Sequence, residues 1–362
     1  MMSSGPRVRD FTDQDRELRV DIDPSPVHEV LSALFVAAHS SKAAEYEIGS
    51  HVIELFNLYA SDQLKADMRA TGHCGEVWLW LIGVAHSLPE PRTAESLVAY
   101  LEMMDPVSMR RELLGTACIT ESKGFELAAI EGAAAGETES VDSLFEQLDA
   151  ESGLRSILQL SPTDTREKLV RIVQQFTDEV FPKLEIDQSV RERDAGDKRA
   201  MARTLAADRL VETATNGITF TPRPDVGGVV LIPSIVARPW VFITDYAALR
   251  IFVYPVADEH LAEDPDAPPG YLIELYKALG DESRLRILGM LSDGPMSLAD
   301  ITERLDLAKS TAHHHLRVLR TAGLVRVSID ETRAYSLRSG AMSEAGQLLE
   351  RYLAERPTRD AT

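Results

Sequence analysis

Lys309, Ser310, Thr311, His313, His314, Arg317 and Arg320 crowd into one short stretch, and no acid occurs between Leu307 and Ile329. Ammonium and guanidinium groups neutralise phosphate oxygens, while small hydroxyls, imidazoles and arginine reach hydrogen-bonding groups on base edges. At helical spacing the segment divides into two stripes. Ala312, His315, Leu316 and Leu319 form an inner one; Ser310, His313, His314, Arg317 and Thr321 form an outer one. The outer stripe suits the major groove of double-stranded DNA, and the plain alternative is a solvated helix face. His313–His315 is not read as a metal site, because successive helix residues point about 100° apart and cannot converge on one ion.

The surrounding elements have clear boundaries. Leu272–Leu279 reads as a helix ended by Gly280, and Asp281 as the cap of a helix carrying Leu285, Leu288 and Leu291 on one face. Asp293-Gly294-Pro295 stops it. Ser297-Leu298-Ala299-Asp300 has capping-box spacing and opens a helix on Leu298, Ile301 and Leu305. Asp306 takes the tight turn, where a left-handed backbone is needed. The basic helix then runs from about Lys309 to Ala322, closed by Gly323. Leu324–Ile329 and Arg333–Leu337 alternate apolar and polar residues around Asp330-Glu331-Thr332, the pattern of a hairpin. Helix, turn, helix and hairpin make a winged helix, with Arg333 a further DNA-contacting candidate on the wing.

Two segments resemble the DNA-binding domain of ArsR/SmtB-type regulators: Ala278-Leu279-Gly280-Asp281-Glu282-Ser283-Arg284-Leu285-Arg286-Ile287-Leu288, and the run from Ser310 to Val325 with its His315-Leu316-Arg317 and terminal Ala322-Gly323-Leu324. The resemblance covers about residues 271–355. It implies a homodimer joined through the flanking helices Tyr271–Leu279 and Met342–Glu355, the latter striped by Ala345, Leu348, Leu349, Tyr352 and Leu353. Two positions depart from the family pattern. His313 replaces a common serine, and Ala308 replaces a capping hydroxyl, so the helix is expected to begin a residue or two later. The cysteine motif and the histidine ligands of metal-sensing members are missing, and no metal or cofactor is expected.

The net charge of −20 at first argues against a nucleic-acid binder. Residues 271–362 hold 13 Lys+Arg and 13 Asp+Glu, so all of the excess lies in the first 270 residues. Salt screens that field beyond about 10 Å. Two cysteines, Cys74 and Cys118, exclude a disulfide framework. The opening residues lack the apolar core of a signal peptide, and no run is long enough to span a membrane, so a cytoplasmic location is expected.

Residues 1–16 read as a tail, 17–256 as an acidic, mainly helical regulatory region, 257–270 as a Pro- and acid-rich linker, 271–355 as the winged-helix DNA-binding and dimerisation domain, and 356–362 as a second tail. Within the first region Leu18–Ile22 suggests a strand. Ser25 and Pro26 open a helix with Val27, Val30, Leu31 and Leu34 inward, and Val77–Leu88 is apolar nearly all round. Gly132–Ser140 and the charged run Arg191–Arg199 read as solvated loops. Ile218–Thr221, Val229–Ile232, Val241–Thr244 and Leu249–Tyr254 suggest a small antiparallel sheet. Trp240 and Tyr254 read as sheet packing, with Arg238 and Arg250 facing water. The fold class is thus mainly α, ending in an antiparallel sheet, plus an α+β winged helix.

No phosphate loop, nucleophile elbow or triad signature occurs, which argues against an enzyme. The expected function is a sequence-specific, homodimeric DNA-binding regulator, a repressor with activation as the other sign. Its first region senses a small-molecule or protein effector. The rival is a winged-helix protein-interaction module.

Overall fold

The computed structural model describes residues 18–71, 75–120, 126–148, 153–220, 226–261, 270–328 and 334–338, with short helical pieces at 345–346, 349–350 and 352–353. The chain opens with strand β1 (Arg19–Ile22) and helix α1 (Pro26–Ala38). Among the described residues there follow α2 (Gly49–Tyr59), α3 (Asp62–Thr71), α4 (Gly75–Ser87), α5 (Ala94–Met103), α6 (Pro106–Thr120), α7 (Leu127–Ala135), α8 (Thr138–Gln147), α9 (Leu154–Leu158), α10 (Pro162–Gln175) and α11 (Gln188–Met201). Helix α12 (Ala207–Ala214) leads into β2 (Ile218–Thr219), β3 (Gly228–Ser234), β4 (Phe242–Tyr246) and β5 (Leu249–Pro255). As expected, α4 is a central helix: Val77, Trp78, Trp80, Leu81, Ile82, Val84 and Ala85 are fully buried. Gly83 keeps its outer side bare where β4 crosses, because a Cβ there would lie 2.4 Å from the Tyr246 side chain. Among the described residues no helix is long and apolar enough to cross a membrane.

The fold class is the expected one, mainly α with an α+β winged helix, but the sheet is not antiparallel. Its order is β1-β3-β5-β4. β1 pairs parallel with β3, β3 parallel with β5, and only β4 runs antiparallel to β5. The short spacing of the apolar runs suggests an antiparallel sheet. Instead, after β3 the chain swings out through Val236–Trp240 to form the far edge, and β5 returns into the middle. Every residue of β3 is buried, as befits a strand covered on both faces. Val230, Ile232, Ile251 and Val253 face the helical core, whereas Val229, Leu231, Phe252 and Tyr254 face a second core. That second core also holds Leu210, Val211 and Ile218 from before residue 257, and Leu275, Ile287, Leu316, Leu319 and Val327 from after it. Most of the expected linker, 262–269, lies outside the described residues.

Both expected loops are ordered differently. Gly132–Ser140 is a tight helix–helix turn: α7 ends at Ala135, Gly136 adopts φ 84°, and α8 starts at Thr138. Arg191–Arg199 lies inside α11, with Arg191 and Asp194 wholly buried. Their charges are tolerated because each is partnered. Arg191 donates to the carbonyls of Pro233 (2.9 Å) and Ser25 (3.1 Å) and to Gln188 (2.7 Å). Asp194 accepts from the Tyr254 hydroxyl, from the Ala257 amide (3.0 Å) and from Lys198 (3.3 Å). Ser25 stands at the N-cap of α1 without capping it, its hydroxyl bonding Asp23 instead. Arg238 and Arg250 do not face water either; they are largely buried and ion-paired, with Glu47 and Asp258 and with Asp245 respectively.

The winged helix comprises α13 (Gly270–Leu279), α14 (Glu282–Ser292), β6 (Met296–Ser297), α15 (Leu298–Leu305), α16 (Lys309–Thr321), β7 (Val325–Ser328) and β8 (Ala334–Leu337). Its sheet has the order β2-β7-β8-β6. β2, expected in the first sheet, thus joins the wing, parallel to β7, with Ile218 opposite Val327 and Thr219 opposite Ser328. Within α14, Ile287 takes the core position beside Leu288 and Leu291, and Leu285 is half exposed.

Candidate nucleic-acid interface

Each anchor of the helix-turn-helix is local chemistry. The Asp281 carboxylate accepts from the Arg284 amide at 2.9 Å and caps α14. Ser297 and Asp300 form the expected capping box, with reciprocal bonds of 3.2 and 3.0 Å. Asp306 holds the left-handed turn at φ 51°. Helix α16 starts directly at Lys309, with Ala308 at the N-cap and no side-chain cap, so the missing hydroxyl does not delay it. Ala312, Leu316 and Leu319 are fully buried, which fixes the helix's rotation. His315, expected on the inner stripe, sits half-buried with Nδ1 3.8 Å from Asp281.

That rotation leaves Lys309, Ser310, Thr311, His313 and His314 exposed on one side of the N-terminal half. Arg317 places Nη2 2.9 Å from His314 Nδ1. A guanidinium can only donate, so Nδ1 accepts and the His314 proton sits on Nε2. Burial, then the neighbouring Arg317 charge, lower the His314 pKa and keep the ring neutral. The helix therefore presents a neutral imidazole donor between hydroxyls and a lysine.

The C-terminal half of α16 is arranged otherwise. The Arg317 guanidinium lies over the Trp240 ring, 5.3 Å from its centroid. Arg320, expected among the DNA contacts, is only 8% exposed, because it follows Leu316 by four residues and turns inward with it. A cavity of about 150 Å³ opens here, between Ile218, Trp240 and Ile243 on one side and His313, Arg317 and Arg320 on the other. Beside it Arg326 on β7 pairs with Glu212 of α12 at 2.6 Å. Arg333 lies outside the described residues, as does most of Met342–Glu355. Glu212, Ile218 and Trp240 carried no sequence signal as neighbours of α16. Trp240 packs on the β4 side as expected, but its outer face meets Arg317.

A second polar centre, also unmarked in the sequence, lies at the end of β1. Asp23 Oδ2 accepts from His28 Nε2 (2.8 Å), His86 Nδ1 (2.7 Å) and Arg92 Nη1 (2.9 Å). Burial would raise the Asp23 pKa, but the bonds from His28 and His86 outweigh it and hold the carboxylate far below its ordinary range. These two histidines and Asp23 have convergent ligand-type atoms, as do Asp197, Glu259 and His260 on the surface. The Arg92 cation on the same oxygen makes the buried set an ion-pair hub.

A helix-turn-helix domain profile matches residues 279–328. The transcriptional activator HlyU of Vibrio cholerae is 38% identical over 80 residues, covering 22% of this chain and 74% of HlyU. The HTH-type transcriptional regulator YceK of Bacillus subtilis is 40% identical over 68 residues, 18% of this chain and 68% of YceK. The transcriptional repressor SdpR of the same species is 35% identical over 51 residues, 14% of this chain and 57% of SdpR. The chain belongs, through its winged helix, to the ArsR/SmtB-type helix-turn-helix transcription regulators. It is a DNA-binding transcription regulator by class.

Proposed function

We propose that this regulator is a cytoplasmic homodimeric repressor whose α16 enters the major groove of a specific operator. The hairpin joining β7 to β8, with Arg333, touches the adjacent backbone. Residues 17–256 sense a small-molecule or protein effector, 257–270 link, and 271–355 bind DNA and dimerise. The observation that carries this reading is the exposed, acid-free row Lys309, Ser310, Thr311, His313 and His314 on a helix whose rotation three buried apolar residues fix. Dimerisation is supported by Ile273 and Tyr276 on α13 and by Leu353, which are 41%, 40% and 58% exposed on the helices that the family uses for pairing. The reading needs no cofactor and assigns no catalysis.

The net charge of −20 favours one other reading, a winged helix that docks another protein. Titrating the full-length protein onto the duplex upstream of its own gene, across a range of salt, separates the two. Operator binding should weaken linearly in log–log form as salt rises, because phosphate contacts release counterions. Absence of binding at every salt concentration favours the interaction module.

A further inference from the structure

The residues before the linker contact the winged helix where DNA would approach. Two successive left-handed residues, Asn216 at φ 53° and Gly217 at φ 99°, turn the chain after α12 onto the free edge of β7. Gly217 is needed for the approach, since a Cβ there would lie 2.8 Å from the Val325 carbonyl. The Val327 amide donates to the Gly217 carbonyl at 3.1 Å, and the Thr219 hydroxyl to the Val327 carbonyl at 3.4 Å. Three arginines on this side of the winged helix are then occupied or covered. Arg317 lies under Trp240, Arg326 is paired with Glu212, and Arg320 is buried at the cavity. Trp240 covers one face of the Arg317 guanidinium, while its Nη2 edge stays exposed beside His314, so the full guanidinium is open to a phosphate or base edge only after Trp240 leaves.

We infer that this contact is autoinhibitory: docking of β2, Glu212 and Trp240 on the α16–β7 edge holds the winged helix in a state that binds DNA poorly, and release of that edge is the regulatory step. The inference rests on the DNA-binding reading above. Three features make the contact one that can open. β2 pairs over only two residues, a single cation–π contact covers Arg317, and the junction retains a cavity of about 150 Å³ where a permanent core is close-packed. The apparent DNA affinity then falls in proportion to the fraction of open molecules.

The test uses the full chain and two duplexes, the segment upstream of its own gene and a scrambled control, read by fluorescence anisotropy. Trp240→Ala combined with Glu212→Gln removes two docking contacts and no group assigned to DNA. Thr219→Cys with Ser328→Cys, which lie opposite each other in the strand register, locks the contact on oxidation. The unlocked variant should bind the upstream duplex about tenfold or more tighter than wild type, as expected when the docked form dominates. The oxidised variant should lose binding and regain it on reduction, while wild type taken through the same oxidation is unaffected. Circular dichroism checks folding; should the unlocked pair unfold, Gly217→Ala replaces it. Equal affinity of the wild-type, locked and unlocked proteins would overturn the autoinhibition and leave DNA binding standing. Failure of every form, reduced and unlocked included, to bind either duplex would overturn both.

Discussion

His314 accepts from Arg317 at Nδ1 and so turns its Nε2 proton outward, where it can serve a base acceptor. His314→Ala should weaken specific binding by about 1–3 kcal/mol. Because the side chain is exposed, thermal stability should stay within about 0.5 kcal/mol of wild type. Unchanged affinity for a selected operator would exclude this residue from the interface. Asp23 and His28 lead to a different expectation. Burial lowers the pKa of His28, despite the attraction of Asp23. The unfolded chain therefore binds more protons than the folded one below about pH 6.5, so this contribution to stability is present above that pH and is lost as pH falls toward the folded pKa. Asp23, His86 and the Arg191 charge face His28 and set that balance. The free energy of unfolding should decline between about pH 7.5 and 5.5, by at most about 1.4 kcal/mol per pH unit for one proton, with the Tm falling in parallel, and His28→Gln should flatten the slope even if its Tm is lower throughout. Parallel slopes would contradict it. The capping box at Ser297 and Asp300, the cap at Asp281 and the turn at Asp306 were legible in the sequence because each is settled within a few residues. The Asp23 centre was not, since His86 lies 63 residues from its carboxylate.

The same contrast separates elements. Helices α13 to α16 and the β7–β8 hairpin follow from periodicity and breakers, and Ala312, Leu316 and Leu319 of the expected inner stripe are buried, with His315 only partly so. The main sheet was misread because pairing direction depends on where the chain goes between strands, which apolar spacing does not encode. Only the unbroken burial of β3 reflects its central place. The run Arg191–Arg199 was misread because charge suggests solvent, whereas burial of a charge depends on distant partners: the Pro233 carbonyl and Glu29, whose Oε2 lies 3.6 Å from Arg191 Nε. Glu29 in turn accepts from the amides of Ile235 and Val236 at 2.8 and 2.9 Å, which fixes the chain leaving β3. Arg191→Met should therefore cost about 3–5 kcal/mol, leaving Glu29 buried without its cation. A surface arginine would cost about 0.5 kcal/mol or less. Denaturant unfolding distinguishes the two, and the smaller value would contradict the buried placement.

Across the chain, function divides by charge. The first 270 residues carry the whole excess of −20, and the winged-helix part is balanced. On the proposed reading, a polyanion is repelled at long range and attracted along the short basic row, which would favour DNA that offers specific contacts over DNA that offers phosphates alone. Sedimentation of the full-length protein should give a dimer, and Ile273→Asp with Leu353→Asp should give a folded monomer with weaker operator binding. A wild-type monomer would contradict the pairing proposed through these helices. The central claim, that the exposed row of α16 reads DNA sequence, is tested most directly by selecting bound duplexes from a random pool with the full-length protein and with His314→Ala. The wild type should enrich one motif with two-fold symmetry, its half-sites about one helical turn or a multiple apart, and His314→Ala should relax the preference at one position of each half-site. Enrichment of no motif, or of an identical motif by both proteins, would contradict the account.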